Sequence, residues 1–420
     1  MASKICVDFI VKNARELLTL SPSLKEESGL GMIQDGAVAI KEGRVFWIGK
    51  TEEVSEKFSL NRDGREMDAT GKVVMPGLID AHTHLVFAGS RENEFEQRIL
   101  GLSYQEIAGR GGGILSTVEA TRNSSFEELL SLGKKRLDRM LSKGVTTVEA
   151  KSGYGLSLRD EIKILNVMKA LQESHPMDIV PTFLGAHTLP KEFREDRAHY
   201  MALLTEEMIP KVALERLAEF CDVFCDEKAF TVEESKQILE AGKRYGLKPK
   251  IHADQLSSGG GAELAAEVNA YSADHLEYVS QEGIKKMAEK GVTAVLLPGA
   301  SFFLSMGKYP PARDMIEQGV VVSLATDLNP GSSMTESLPL MMTMGCTLFK
   351  MIPKEVIQAA TIHAARSMGR EKKIGSLEVG KQADIVLLDI PNYRHLPYHF
   401  GVDHVETVVK KGRIIYQRPI

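Results

Sequence analysis

The sequence predicts an α/β protein in which a (β/α)8 TIM barrel is joined to a small β-sandwich built from both chain ends. Three observations lead there. Across residues 71–369, apolar β-type runs alternate eight times with amphipathic stretches of helical period, the pattern of a closed parallel barrel. Residues 1–70 and 370–420 carry short strand-like runs and tight-turn signals, so the two ends are expected to form one composite domain with the barrel inserted into it. A doubly wound sheet would also alternate in this way, but its dinucleotide fingerprint is missing from the first strand–helix turn. Arg110-Gly111-Gly112-Gly113 has no strand just before it and no Lys-Ser/Thr after it, which fits a mobile active-site loop better than a phosphate cradle.

In chain order, residues 5–12 read as a first strand with imperfect alternation. Asp35-Gly36 opens a second at 37–40, residues 41–44 turn, and 45–48 return. At the other end, 383–388 is a strongly apolar strand, while 405–409 and 414–416 flank a turn at 410–413. Barrel strands are expected at 74–81, 146–150, 179–183, 223–226, 249–251, 270–273, 293–297 and 320–325. Helices are expected at 126–141, 158–171, 211–218, 232–245, 281–289 and 354–366. In the first of these Phe126, Leu129, Leu130, Leu137, Met140 and Leu141 fall on one stripe.

Composition narrows the function classes. A length of 420 residues is too great for one small core, and the net charge of −5 gives no basic footprint for nucleic acid. No apolar run reaches membrane-span length, and residues 1–13 lack the features of a signal peptide. Cys6, Cys221, Cys225 and Cys346 form no Cys-x-x-Cys. They are expected as reduced thiols of a cytoplasmic protein, with Cys221 and Cys225 in the core. A small-molecule substrate is the partner expected, and a homodimer the expected assembly.

Chemistry in a barrel collects at the C-terminal ends of the strands. Strand one ends in His82-Thr83-His84, with Arg91 a few residues on. Strand two ends in Lys151-Ser152-Gly153-Tyr154, and strand three in Gly185-Ala186-His187. Strand five ends in His252-Ala253-Asp254-Gln255, strand six in Asp274-His275, and strand eight in Asp327-Leu328-Asn329-Pro330-Gly331-Ser332. Any one histidine is ordinarily a satisfied core residue, but five of the eleven fall at these ends. On a strand, positions i and i+2 face the same way, so His82 and His84 can aim at one point. With His252 and the carboxylate of Asp327 they would hold one divalent ion per chain. Nitrogen and oxygen donors suit Zn2+ or iron, Fe2+ or Fe3+. Such an ion makes water nucleophilic near neutral pH, and His275 is placed to take its proton, with Asp274 the less well-aimed carboxylate. Arg91 offers a planar fork for a carboxylate, although by residue type alone a surface ion pair with Glu92 or Glu94 would be favoured. Ser333 and Glu336 have capping-box spacing, so Gly331-Ser332 reads equally as a helix start suited to an anion.

Pro76 through His84 and Gly380-Lys381-Gln382-Ala383-Asp384-Ile385-Val386 resemble the two ends of a metal-dependent amidohydrolase. Residues 84–91, 151–155, 183–187, 252–255 and 327–332 narrow the resemblance to the imidazolonepropionase family of histidine degradation, over nearly the whole chain. The resemblance implies water addition to the ring carbonyl of 4-imidazolone-5-propanoate, giving N-formimidoyl-L-glutamate. It implies one ion on His82, His84, His252 and Asp327, and substrate contacts on Arg91, Tyr154, His187, Gln255, Asn329, Gly331 and Ser332. His275, Asp327, His187 and Gln255 are the groups expected to act at the reacting bond. Position 255 is glutamate in some family members and glutamine here.

The nearest rival is a deaminase or cyclic-amide hydrolase of the same superfamily with two metals, bridged by a carbamylated Lys228 or, second, Lys151. A metal-free assembly protein on this scaffold would be expected to have lost ligands. A periplasmic binding protein would need a signal sequence.

Overall fold

The computed structural model describes residues 4–24, 26–102, 106, 112–227 and 229–419. Lys228 and the Arg110-Gly111 part of the glycine-rich stretch lie outside the described residues. The chain forms two compact units. One comprises residues 1–81, 138–147 and 337–420, and the other 82–137 and 148–336.

In the first unit, strands from both chain ends join one eight-stranded mixed sheet. The long strand Ile5–Leu18 runs antiparallel to Met32–Lys41 and parallel to Phe58–Asp68 and Val73–Pro76. Met32–Lys41 returns as Arg44–Lys50 through Glu42 and Gly43, both at positive φ (52° and 72°), the two-residue turn whose twist matches the strands it joins. Lys411 and Gly412 repeat it (50° and 72°) between Val405–Lys410 and Arg413–Gln417. From the C-terminal end, Ile385–Leu388 pairs antiparallel with Val73–Pro76. Alternate residues feed different faces: Val38 and Ile40 pack with Val74, Leu387 and Val409, while Ala37 and Ala39 pack with Val54 and Phe58.

The second sheet is parallel. Its strands are Leu78–Asp80, Val145–Lys151, Asp178–Ala186, Phe220–Cys225, Ile251–Ala253, Ser272–His275, Thr293–Leu296 and Val322–Leu324, each beside the next, with Lys248–Pro249 a short extra rung on Phe220–Cys225. Nearly every strand residue is buried, as a barrel filled inside and covered by helices requires. Closure comes from a parallel bridge between Thr83 and Leu328: Asp327 N–H donates to His82 O (3.0 Å) and His84 N–H to Leu328 O (2.9 Å). The bond that closes the barrel therefore also places His82 and His84 beside Asp327.

Several expectations need correction. The run 74–81 is two strands, Val73–Pro76 in the mixed sheet and Leu78–Asp80 in the barrel. A Cβ on the intervening Gly77 would lie 2.4 Å from Thr146 side-chain atoms, so the change of sheet needs glycine. His82 and His84 thus follow the strand's last residue instead of sitting on it. The helix expected at 211–218 begins earlier, as Arg197–Ala202, widens through Leu203–Met208 and ends as Ile209–Leu214. The stretch 354–366 is two helices, Pro353–Ala359 and Ile362–Ser367. No helix starts at Ser333, whose hydroxyl donates to Thr326 O (2.6 Å). The helix begins at Leu338, capped by Ser337, so an anion at a Gly331-Ser332 helix N-terminus is ruled out. Among the described residues no helix is long and apolar enough to cross a membrane.

Candidate active site

At the barrel's C-terminal mouth His82, His84, His252, His275 and Asp327 are buried together. The rings of His82 and His252 are 4.6 Å apart between centroids, and those of His252 and His275 5.2 Å. Asp327 Oδ1 lies 3.4 Å from His82 Nε2 and 3.6 Å from His84 Nε2. In each of two groups, His82, His252 and His275, and His82, His84 and Asp327, one ligand atom per residue lies within 4.8 Å of the other two. His275 is held at φ 79°, a left-handed conformation uncommon for a side-chain-bearing residue, which turns its ring toward this group.

Carboxylates behind the imidazoles set their tautomers. His82 Nδ1 is 2.6 Å from Asp274 Oδ2, and His252 Nδ1 is 3.1 Å from Asp222 Oδ2. With Nδ1–H donated backward, each Nε2 turns its lone pair into the site, and both Nε2 atoms are buried without a hydrogen-bond partner. Asp274, read from the sequence as a poorly aimed base, is thus an orienting group for His82. Asp222, missed in the sequence, does the same for His252. Lys151 ties the two together: its Nζ lies 2.7 Å from Asp222, 2.8 Å from Glu149 and 3.3 Å from Asp274. Burial alone would push the Lys151 pKa down, but these three carboxylates hold it above the ordinary lysine value. Carbamylation needs a neutral amine, so Lys151 is not the bridge to a second ion. Burial holds the pKa values of His82, His84 and His275 well below the ordinary histidine value, and that of His187 down at about 3. Neutral imidazole is the ligand form. Burial also lifts Asp327 to about 7, a carboxylate that gains from a cation beside it.

The profile of the Amidohydrolase family matches residues 73–415. The imidazolonepropionase of a Geobacillus species is 53% identical, covering 96% of this chain and 97% of that protein. That of Alkaliphilus oremlandii is 51% identical, covering 98% and 99%. The chain belongs to the amidohydrolase family, and within it to the imidazolonepropionases. In fold it is similar to an adenosine deaminase from Xanthomonas campestris with bound zinc, at 18% identity, a TM-score of 0.73 and coverage of 98% of this chain and 93% of that one. It is also similar to a mutant atrazine chlorohydrolase from Arthrobacter aurescens complexed with zinc and atraton, at 15% identity, TM-score 0.75, and coverage of 97% and 95%.

Most of the residues that imidazolonepropionase resemblance picks out gather around this cluster. His187 stacks on His84 (4.9 Å, 12°), its Nδ1 3.0 Å from Gly153 O. Tyr154 is tilted against both rings. The Tyr154 loop is gripped by Glu161, a residue the sequence did not single out, which accepts from the N–H groups of Gly153, Gly155 and Leu156. Asn329, Gly331 and Ser332 form one turn: Asn329 Oδ1 accepts from Gly331 N (2.8 Å) and Ser332 N (2.9 Å), and Ser332 Oγ donates to Asp327 Oδ2 (3.2 Å). Arg91 does make the ion pair with Glu94 that residue type favoured, through Nε (2.8 Å) and Nη2 (2.6 Å). The pair is nine-tenths covered, each side chain 12% exposed, so it is no surface bridge. Nη1 is pressed against Gly331, where a Cβ would lie 2.1 Å away, so the approach needs glycine. Arg98, also missed, donates to Gly331 O (3.2 Å). Gln255 is buried in the turn that Asp254 holds by accepting from the N–H groups of residues 259–262. Its amide forms no hydrogen bond to the cluster. Glu277 went unnoticed because it lies two residues past strand six. Burial raises it to about 8, Ser301 donates to one oxygen, and the other is 3.9 Å from His275 Nδ1.

Orphaned, inward-facing nitrogens on His82 and His252 beside a buried carboxylate fit a divalent metal ion as cofactor.

Proposed function

We propose that the chain hydrolyses the ring amide of 4-imidazolone-5-propanoate to N-formimidoyl-L-glutamate. The observation that carries this reading is the pairing of a buried, carboxylate-backed histidine cluster with an arginine locked beside the Asp327 turn. His82, His84, His252 and Asp327 would hold the ion, of zinc or iron type. Such an ion would supply Lewis-acid activation of the ring carbonyl and of water. The oxygen of water adds to the carbonyl carbon, the ring C–N bond breaks, and the carbonyl becomes the new carboxylate while the nitrogen leaves protonated. His275 moves the proton between water and leaving nitrogen. Arg91 meets the propanoate with its Nη1 end, the Nε edge being taken by Glu94. Tyr154, His187, Asn329, Gly331 and Ser332 wall the ring, and Gln255 contributes a neutral amide at the same rim. We place the reaction in the cytoplasm and the protein in a homodimer, to be checked by cell fractionation and light scattering.

A spectrophotometric assay with imidazolone propanoate, run beside pterin and pyrimidine deaminase substrates, tests the reaction. Faster turnover of either deaminase substrate would overturn it. His275→Ala should keep the ion and lose turnover by roughly 10²–10⁴-fold. Because a His275 nitrogen lies among the ligand atoms, loss of the ion in that variant would make it a ligand instead.

A further inference from the structure

Three more histidines stand together outside the barrel. His395 and His399 are one helical turn apart, the first on the short helix His395–Tyr398 and the second just past its end. The chain then turns through Gly401 (φ 75°) and returns with His404, directly before the strand Val405–Lys410. Ring centroids are 5.1 Å apart for His395 and His399, 5.4 Å for His395 and His404, and 5.0 Å for His399 and His404. One nitrogen from each ring lies within 4.8 Å of the others. His395 Nε2 and His399 Nδ1 are 3.2 Å apart. Two nitrogens at 2.0–2.1 Å from one tetrahedral ion would be separated by about 3.3 Å.

The backbone carrying these rings is fixed at several points. Thr343 Oγ1 donates to Pro397 O (2.9 Å), Tyr393 N–H to Glu16 (2.8 Å), and Asp389 N–H to His404 O (2.9 Å). His404 is buried, and its Nε2 lies 3.0 Å from His399 O. Donating there, it keeps a lone pair on Nδ1, the arrangement in which a backbone carbonyl sets the tautomer of a ligating ring.

We propose that His395, His399 and His404 form a second divalent-cation site, selective for borderline ions such as Zn2+, Ni2+ or Cu2+. Imidazole donors favour these ions over Mg2+ or Ca2+. His399 is exposed, leaving the remaining coordination positions to water. An ion there would clasp the helix His395–Tyr398 to the start of Val405–Lys410 and stabilise the 395–404 segment, independently of turnover.

The test uses the full-length enzyme already holding the ion needed for full activity. Titration with Zn2+ against a chromophoric chelator should reveal one further, weaker equivalent. His399→Ala and, separately, His395→Gln should each weaken that equivalent by at least about 10-fold, with kcat and KM unchanged. Excess Zn2+ should raise Tm in wild type and not in either variant. Circular dichroism confirms that both variants fold. No further equivalent in wild type, or variant titrations that overlay it, would overturn the proposal.

Discussion

The imidazoles at the barrel mouth lean on carboxylates: His82 on Asp274, His252 on Asp222, and both carboxylates on Lys151. Those at residues 395–404 lean on one another and on a backbone carbonyl. The first arrangement is wholly buried and fixes His82 and His252 before any ion arrives. The second leaves His399 exposed. The difference teaches that histidine count alone does not make a catalytic centre. A carboxylate behind the ring raises ligand basicity and fixes orientation, and the two together separate a tight site that works from a weaker one that clasps.

The sharpest break between the two comes from removing one ring from each. His252→Ala should strip the barrel ion and reduce turnover to background while circular dichroism stays native. His399→Ala should leave turnover untouched. Activity surviving in His252→Ala after chelation and reloading would collapse the distinction. Next in size, Arg91→Met separates holding the ion from using it. It should lower kcat/KM by on the order of 10²-fold, roughly the loss of a charge-assisted pair, with metal content unchanged. Arg91→Lys should be clearly impaired too, because the guanidinium must serve Glu94 and substrate at once. A substrate analogue with methyl in place of carboxylate is the control. If Arg91→Met still prefers the carboxylate by the wild-type ratio, Arg91 serves only Glu94.

Asp222→Asn and Asp274→Asn test the backing groups themselves. Each should cost about 10–100-fold in metal affinity by equilibrium dialysis, and affinities equal to wild type would remove the basis of the comparison. The smallest effect concerns pH. His187 is held down at about 3 by burial, against 6.5 in the unfolded chain. Below pH 6.5 the unfolded chain takes up a proton that the folded chain refuses, so stability is full above that value and falls as pH drops toward 3. For the chelated protein, His187 alone accounts for on the order of 1 kcal/mol at a pH one unit below 6.5. His82, His84 and His275 act in the same direction. Urea midpoints that do not fall with pH would contradict the buried, neutral state of these rings.

Much of this site was legible because barrel chemistry sits at strand ends, and His82, His84, His252, His275 and Asp327 each follow a recognisable apolar run. The groups behind them were not. Asp222 stands inside the apolar strand Phe220–Cys225, and its partner Lys151 is 71 positions away. Only barrel closure brings the two together. Local rules misled where a distant partner outbid them. Ser333 has capping-box spacing, but its hydroxyl is taken by Thr326 O. The run 74–81 has strand composition throughout, but Thr146 leaves room only for glycine at its centre. His395, His399 and His404 were not singled out in the sequence as a group, because His404 joins the other two only through the turn at Gly401.

Lys151 has a last consequence. Hydrolases that build a metal bridge on a lysine must first capture dissolved carbon dioxide, so their assembly responds to bicarbonate. Here the amine is held as a cation by Glu149, Asp222 and Asp274, and no such capture can occur at it. Apo-protein reloaded in degassed, bicarbonate-free buffer should recover as fast and as fully as in air-equilibrated buffer.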